Sequence, residues 1–329
     1  MTHPSSETIS QAISRYIDTI HLARSENTTR TYRNAMRSFA EMLADRRLPT
    51  ELTKISELPE DAIAWFATFL KNYSPATEQL YLTAAAGFYD FLVAEEIAIL
   101  NLPRVRLLIS HRSRKPGKRL PQFPRSDIEI IINYAIKLAI FVTKDENERL
   151  INLRDRALIL TLADTGLRVH EACKMRRGDI DWDERKAVII GKGNQQAVVR
   201  FSGRSLAALK DYLGARAAHD GASRRPLPSL PLFARHDRGA GKSIKPITTR
   251  TGQNVIAQRV DEAIGPGAAG TITPHSFRHY FVTTVLRGSS GNLKMAQELA
   301  RHKNIAVTQR YAHLSDDELD KGYDMIFED

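Results

Sequence analysis

Across most of the 329 residues, apolar side chains return every three or four positions, and one segment breaks that rhythm. It is KAVIIGKGNQQAVVRF, residues 186–201, two short β-branched runs joined by GKGN. Strands repeat with a period of about 2 residues and helices with one of about 3.6, so the pattern predicts a mainly α fold carrying a small β-sheet. Lys192 falls at or near the tip of the implied hairpin.

The first hundred residues read as four helices. Ile9, Ile13, Ile17 and Ile20 share one helical face, and a second helix, capped by Asn27 or Thr28, carries Tyr32, Met36, Phe39 and Leu43. Pro59 fits the first turn of a third helix, with Ile63, Phe66, Ala67 and Leu70 inward. Ser74 and Pro75 suit the N-cap and first position of a fourth, running through Leu82, Tyr89 and Leu92. This predicts a four-helix domain over residues 1–103.

Residues 104–119, RVRLLISHRSRKPGKR, hold seven Lys or Arg and no acid, and read as a basic interdomain linker. A mixed α+β domain is expected over 120–313, followed by a tail over 314–329. It opens with Ser126 and Glu129 at capping-box spacing. Helices are expected over about 127–143 and 152–163, the latter closed by Gly166, and another begins in RVHEACKM. After the hairpin, helices follow at about 203–217, then up to about 264, then from Thr273 (N-cap) and Pro274 to about 286.

A net charge of +10 points to a polyanionic partner, because Lys and Arg that neutralise phosphates release condensed counterions. Basic stretches also suit membrane surfaces, but no amphipathic basic helix, lipidation signal, signal peptide or long apolar run is present, which favours nucleic acid and the cytoplasm. Arg104, Arg106, Arg112, Arg114, Lys115, Lys118 and Arg119 are the expected DNA contacts. The single cysteine, Cys173, leaves neither an intramolecular disulfide nor a cysteine cluster for a metal, and its neighbours predict a small buried residue.

Several short motifs carry chemistry. In TGLRVHE, Arg168 and Glu171 stand three residues apart, where a carboxylate orients a guanidinium; the same pair also reads as a surface ion pair. In PHSFRH, His275, Arg278 and His279 stand at i, i+3 and i+4 at a helix start, which suits an oxyanion. The two histidines are not a zinc-protease helix, because Ser276 occupies the position of the required glutamate, and GKGN lacks P-loop spacing. Tyr311, in TQRYAHL, would ordinarily be a packing aromatic.

Taken in order, Arg168 with Glu171, Lys192, His275 with Arg278, His302 in ELARHKN and Tyr311 resemble the tyrosine recombinase family, the phage-integrase and Xer-like enzymes that cut and rejoin DNA. The N-terminal NTTRTY and SPATEQLYLTAAAGFYDFL look like that family's core-binding domain. Two departures stand out: Arg301 occupies a position where the family usually has glycine, and KLAIFVTKDENERL is longer than in compact members.

The resemblance implies a site-specific recombinase that attacks a phosphodiester with Tyr311, forming a 3′-phosphotyrosine and a free 5′ hydroxyl without ATP. Arg168, Arg278, His275 and His302 would stabilise the phosphate, Lys192 would protonate the leaving oxygen, and Glu171 would support Arg168. His275 is the candidate base for Tyr311. No metal or other cofactor is then required. The implied partners are a duplex recombination site, a homo-tetramer on two such sites, and an accessory DNA-bending or directionality protein, with nucleoid association when DNA is bound. The tail, with Leu319, Tyr323, Ile326 and Phe327, docks on a neighbouring protomer or on its own domain. Competing readings are a type IB topoisomerase-like enzyme, which exchanges no partners, and a non-catalytic DNA-binding regulator, which would need neither Tyr311 nor Lys192.

Overall fold

The computed structural model describes residues 6–115, 125–190, 196–237 and 243–312, and the chain divides into two compact units, Met1–Arg119 and Leu120–Asp329. Both are built mainly from helices, and among the described residues none is long and apolar enough to cross a membrane.

The first unit contains α1 (Ile9–Ala23), α2 (Glu26–Asp45), α3 (Ala62–Phe69), α4 (Pro75–Ala94) and α5 (Leu102–Arg112). A capping box between Thr8 and Gln11 starts α1, and Ile9 and Ile17 are buried with Ile13 and Ile20 packed partly against them. Ser25, two residues ahead of the expected position, caps α2 by accepting from the Thr28 N–H at 3.3 Å. Ser74 and Pro75 begin α4 as their chemistry suggests. The Tyr16 hydroxyl donates to the Ala84 carbonyl at 3.0 Å, and Gly87 leaves room for it, since a Cβ there would lie 2.5 Å from that oxygen.

The basic segment differs from the expected linker. Its first half is α5, capped by Asn101 and packed through Leu102, Val105, Leu108 and Ile109, an apolar face that the density of arginines conceals in the sequence. Arg104 pairs with Glu60 and Asp61, and Arg106 with Asp90. Arg114 binds Glu78 of α4 and donates to the Tyr73 carbonyl at 2.7 Å. These three expected DNA contacts thus have carboxylate partners within the unit, while their side chains remain partly exposed. Arg112 and Lys115 are exposed, with no carboxylate paired to them among the described residues; Lys118 and Arg119 lie outside those residues.

In the second unit come α6 (Arg125–Lys137), α7 (Glu146–Thr165), α8 (Val169–Lys174), β1 (Ile180–Asp181), β2 (Lys186–Ile190), β3 (Gln196–Arg200), α9 (Gly203–Ala215), α10 (Ala217–Ala222), α11 (Thr249–Ile264), α12 (Pro274–Gly288), α13 (Leu293–Ala300) and α14 (Ile305–Ala312). The strands form one antiparallel sheet in the order β1-β2-β3, with Lys186 opposite Arg200 and Ile190 opposite Gln196. Helix α6 ends earlier than expected, and Ser126 lies inside it while Glu129 pairs with Arg125. Asp145 caps α7 well before the expected start, so part of the polar TKDENE is helix.

Helix α7 is buried along most of its length and organises the core. Asp155 on it accepts from Arg154 at 2.6 Å and Arg259 of α11 at 2.8 Å, and Arg259 also reaches Asn152 and Glu262. Charges this deep persist only when their hydrogen bonds are completed, and these are. Cys173 is buried, which pushes its thiol up to about 11.

Candidate active site

Helix α7 stops at Gly166, whose φ of 60° is left-handed and whose Cβ, were there one, would overlap the Phe281 ring. That stop delivers Arg168 to the start of α8. Its backbone N–H donates to Glu171 Oε2 at 2.9 Å and its Nη1 to Oε1 at 2.9 Å. The Glu171 side chain is 4% exposed, so this is no ordinary surface ion pair. Burial alone would raise the Glu171 carboxyl; the Arg168 N–H and the guanidiniums of Arg301 and Arg168 outweigh it and hold the group below its usual value.

Thr273 and Ser276 form the capping box that opens α12, with Pro274 in its first turn. From this helix Arg278, 2% exposed, donates through Nη1 to the Gly166 carbonyl at 2.5 Å and through Nη2 to the Ala300 carbonyl. It joins the ends of α7 and α13 with its planar fork. No carboxylate pairs with it among the described residues. Burial, followed by the charges of Arg168 and Arg301, brings its pKa down to about 10, so it remains a cation at neutral pH.

One turn along α12, the His275 and His279 rings meet edge to face at 4.3 Å between centroids. The Tyr311 hydroxyl, carried by α14, meets Nδ1 of His279, and the His302 ring stacks on Tyr311 at 6.4 Å. His302 Nδ1 bonds the buried Thr308 hydroxyl at 2.9 Å, which fixes the ring and turns Nε2 to other partners. Burial, assisted by neighbouring cations, lowers His279 and His302 to about 4 and also lowers His275. All three imidazoles are neutral near pH 7.

Five of the six residues named from sequence thus converge: Arg168, His275, Arg278, His302 and Tyr311. Lys192 lies between β2 and β3, outside the described residues, as do His313 and the tail beyond it. The hydroxyl of Tyr311 contacts His279 rather than His275, the base expected from sequence. Thr308 was also missed, and only its helical position after His302 hints at it. Arg301 takes up the left-handed conformation (φ 58°, ψ 42°) that a glycine adopts easily. Its Nη2 donates to Glu171 Oε2 at 3.2 Å and to the Gly166 carbonyl at 3.3 Å.

Clustered guanidiniums, neutral imidazoles and a buried phenol suit attack on a phosphodiester. Comparison with known proteins points the same way. Residues 138–318 match the model described as "Phage integrase family", and residues 13–96 match "Phage integrase, N-terminal SAM-like domain". The chain is 31% identical over 254 residues to a protein named Tyrosine recombinase XerC from Xylella fastidiosa, covering 77% of this chain and 75% of that one. A XerC from Listeria innocua is 28% identical over 313 residues, covering 94% and 95%. Among solved structures, XerH recombinase bound to palindromic difH substrate, in a post-cleavage complex, has a similar fold, with TM-score 0.68, 17% identity and full coverage of both chains. The Tn1549 transposon integrase in complex with a circular intermediate DNA gives 0.65 at 18% identity, covering 98% and 100%.

Proposed function

The chain belongs to the phage integrase family and is a tyrosine site-specific recombinase; from that premise we propose that Tyr311 is its nucleophile and assign the roles around it. The observation that carries this reading is the placement of the Tyr311 hydroxyl against His279 Nδ1, beside three guanidiniums that share the single carboxylate of Glu171 or, for Arg278, carbonyls alone.

A phenol holds its proton to a pKa near 10, so attack needs an acceptor, and neutral His279 is in contact with that hydroxyl. As Tyr311 Oη bonds to phosphorus, the P–O5′ bond breaks, leaving a 3′-phosphotyrosine. Negative charge gathers on the nonbridging oxygens, where the forks of Arg168 and Arg278 and His302 Nε2 donate. His275, against His279, adds a further donor. Lys192 protonates the departing 5′ oxygen. A 5′ hydroxyl from a second strand then reverses the step and releases Tyr311. The DNA-binding surface includes Arg112, Lys115, Lys118 and Arg119; two duplex sites are held by four copies of the chain, and an accessory DNA-bending protein sets direction.

A suicide duplex nicked beside the cleavage position tests this. Wild type should form a covalent protein–DNA adduct and Tyr311→Phe none; an adduct from the phenylalanine variant overturns the assignment. Lys192→Ala should cleave slowly and recover on a 5′-bridging phosphorothioate, whose leaving group needs no proton. Exchange of strands between two labelled duplexes separates recombination from simple relaxation.

A further inference from the structure

The carboxylate and carbonyl bonds around Arg168 link three guanidiniums in a chain. Arg168 holds one oxygen of Glu171 through its side chain, Arg301 holds the other through Nη2, and the same Arg301 nitrogen shares the Gly166 carbonyl with Arg278. Guanidinium, carboxylate, guanidinium, carbonyl and guanidinium thus alternate, with one negative charge among three positive ones. The Arg301 side chain is 10% exposed, and its Nη1 is buried with no acceptor among the described residues. An unpaired donor of a buried cation is costly, and groups of this kind persist where a ligand completes them.

The backbone adds a second observation. Arg301 is left-handed, a strained conformation for any residue with a Cβ, and the adjoining His302 is anchored by Thr308. A glycine would relieve that strain; the arginine bears it and sets its side chain between Glu171 and the Gly166 carbonyl.

Resting on the reading of this cluster as the scissile-phosphate site, we propose that Arg301 is a third arginine ligand of that phosphate and hence a catalytic residue. Its Nη2 keeps Glu171 and Arg168 in register, and its Nη1 donates to a nonbridging oxygen of the scissile phosphate as charge builds in the transition state. No bond to Arg301 forms or breaks; it neutralises charge while Tyr311 attacks.

The test is single-turnover cleavage of the suicide duplex by wild type, Arg301→Gly and Arg301→Lys, with the scissile phosphate either natural or replaced by a methylphosphonate. Arg301→Gly should keep wild-type thermal stability, because glycine suits the left-handed turn, and should cleave the natural phosphate roughly 10²-fold more slowly. Arg301→Lys restores the charge without the fork and should recover part of the rate. On the methylphosphonate, which is uncharged and keeps a single nonbridging oxygen, the defect of Arg301→Gly should shrink to a few-fold. Wild-type cleavage by Arg301→Gly overturns the proposal. So does an undiminished defect, or no cleavage, on the methylphosphonate, which would leave Arg301 only the holding of Glu171. Should wild type itself form no adduct, the nucleophile assignment fails instead.

Discussion

Each unit of the molecule buries a glutamate among basic side chains, and the two are completed in opposite ways. Glu78 of α4 accepts from Lys71 at 2.6 Å and from the Arg114 backbone and side chain at 2.9 and 2.5 Å. Lys71 and Arg114 sit at the rim, each 38% exposed, and their remaining donors reach backbone carbonyls at Arg112 and Tyr73. Glu171 is held from both sides as well, but its partners include the deeply buried Arg301, and Arg278 stands behind with carbonyls alone. The first site closes upon itself and fastens the chain through Arg114. The second is left with surplus positive charge in a place water reaches poorly, and it becomes complete when an anion arrives.

The contrast can be broken experimentally, beginning with its most sensitive point. Arg278→Ala should lower single-turnover cleavage of the suicide duplex by about 10³-fold, since one oxyanion donor is worth roughly 10²–10³ and the fork also joins two helix ends. Glu171→Gln should cost about 10²-fold in the same assay, because Arg168 and Arg301 lose the charge that aligns them. Glu78→Gln should spare the chemistry and instead destabilise the first unit by about 2 kcal/mol in urea unfolding, its two cations being able to turn to solvent. An equal loss of cleavage from the Glu78 and Glu171 variants would erase the distinction. Thr308→Val should slow cleavage about tenfold by freeing the His302 ring, without a matching loss of stability.

Acid gives the gentlest test. The unfolded histidines titrate near 6.5, while His279 and His302 in the fold do so at about 4 and His236 at about 3. The unfolded state therefore takes up protons first, and the second unit should lose stability as pH falls from about 6.5 towards 4. Glu78 titrates below its usual 4.5, so its contribution persists to lower pH. Trp65 and Trp182 lie one in each unit, and the single-tryptophan variants Trp65→Phe and Trp182→Phe should show the Trp182 transition weakening first.

What the sequence discloses follows from the range of the interactions. Helices α1 to α4 are legible because their apolar faces and caps, such as Ser74 with Pro75, lie within a few residues. Helix α5 was obscured because its arginines suggested solvent and DNA while their carboxylates lie on α4 and in the turn before α3. At the site, Arg168 with Glu171 and His275 with Arg278 are local spacings and could be read directly. The contact of His279 with Tyr311 spans 32 residues and that of Arg301 with Glu171 spans 130, distances at which no local pattern exists.

The two left-handed turns that meet at the Gly166 carbonyl have unequal evolutionary prospects. At position 166 any side chain would run into the Phe281 ring, so that site is closed to substitution unless Phe281 changes with it. Position 301 is strained yet already accommodates a long side chain, and a glycine codon of any form becomes an arginine codon by one base change. A saturation library would therefore be intolerant at the first and permissive for folding at the second. The reaction centre can thus gain or shed a cation in a single mutational step, while the turn against which it is built stays fixed.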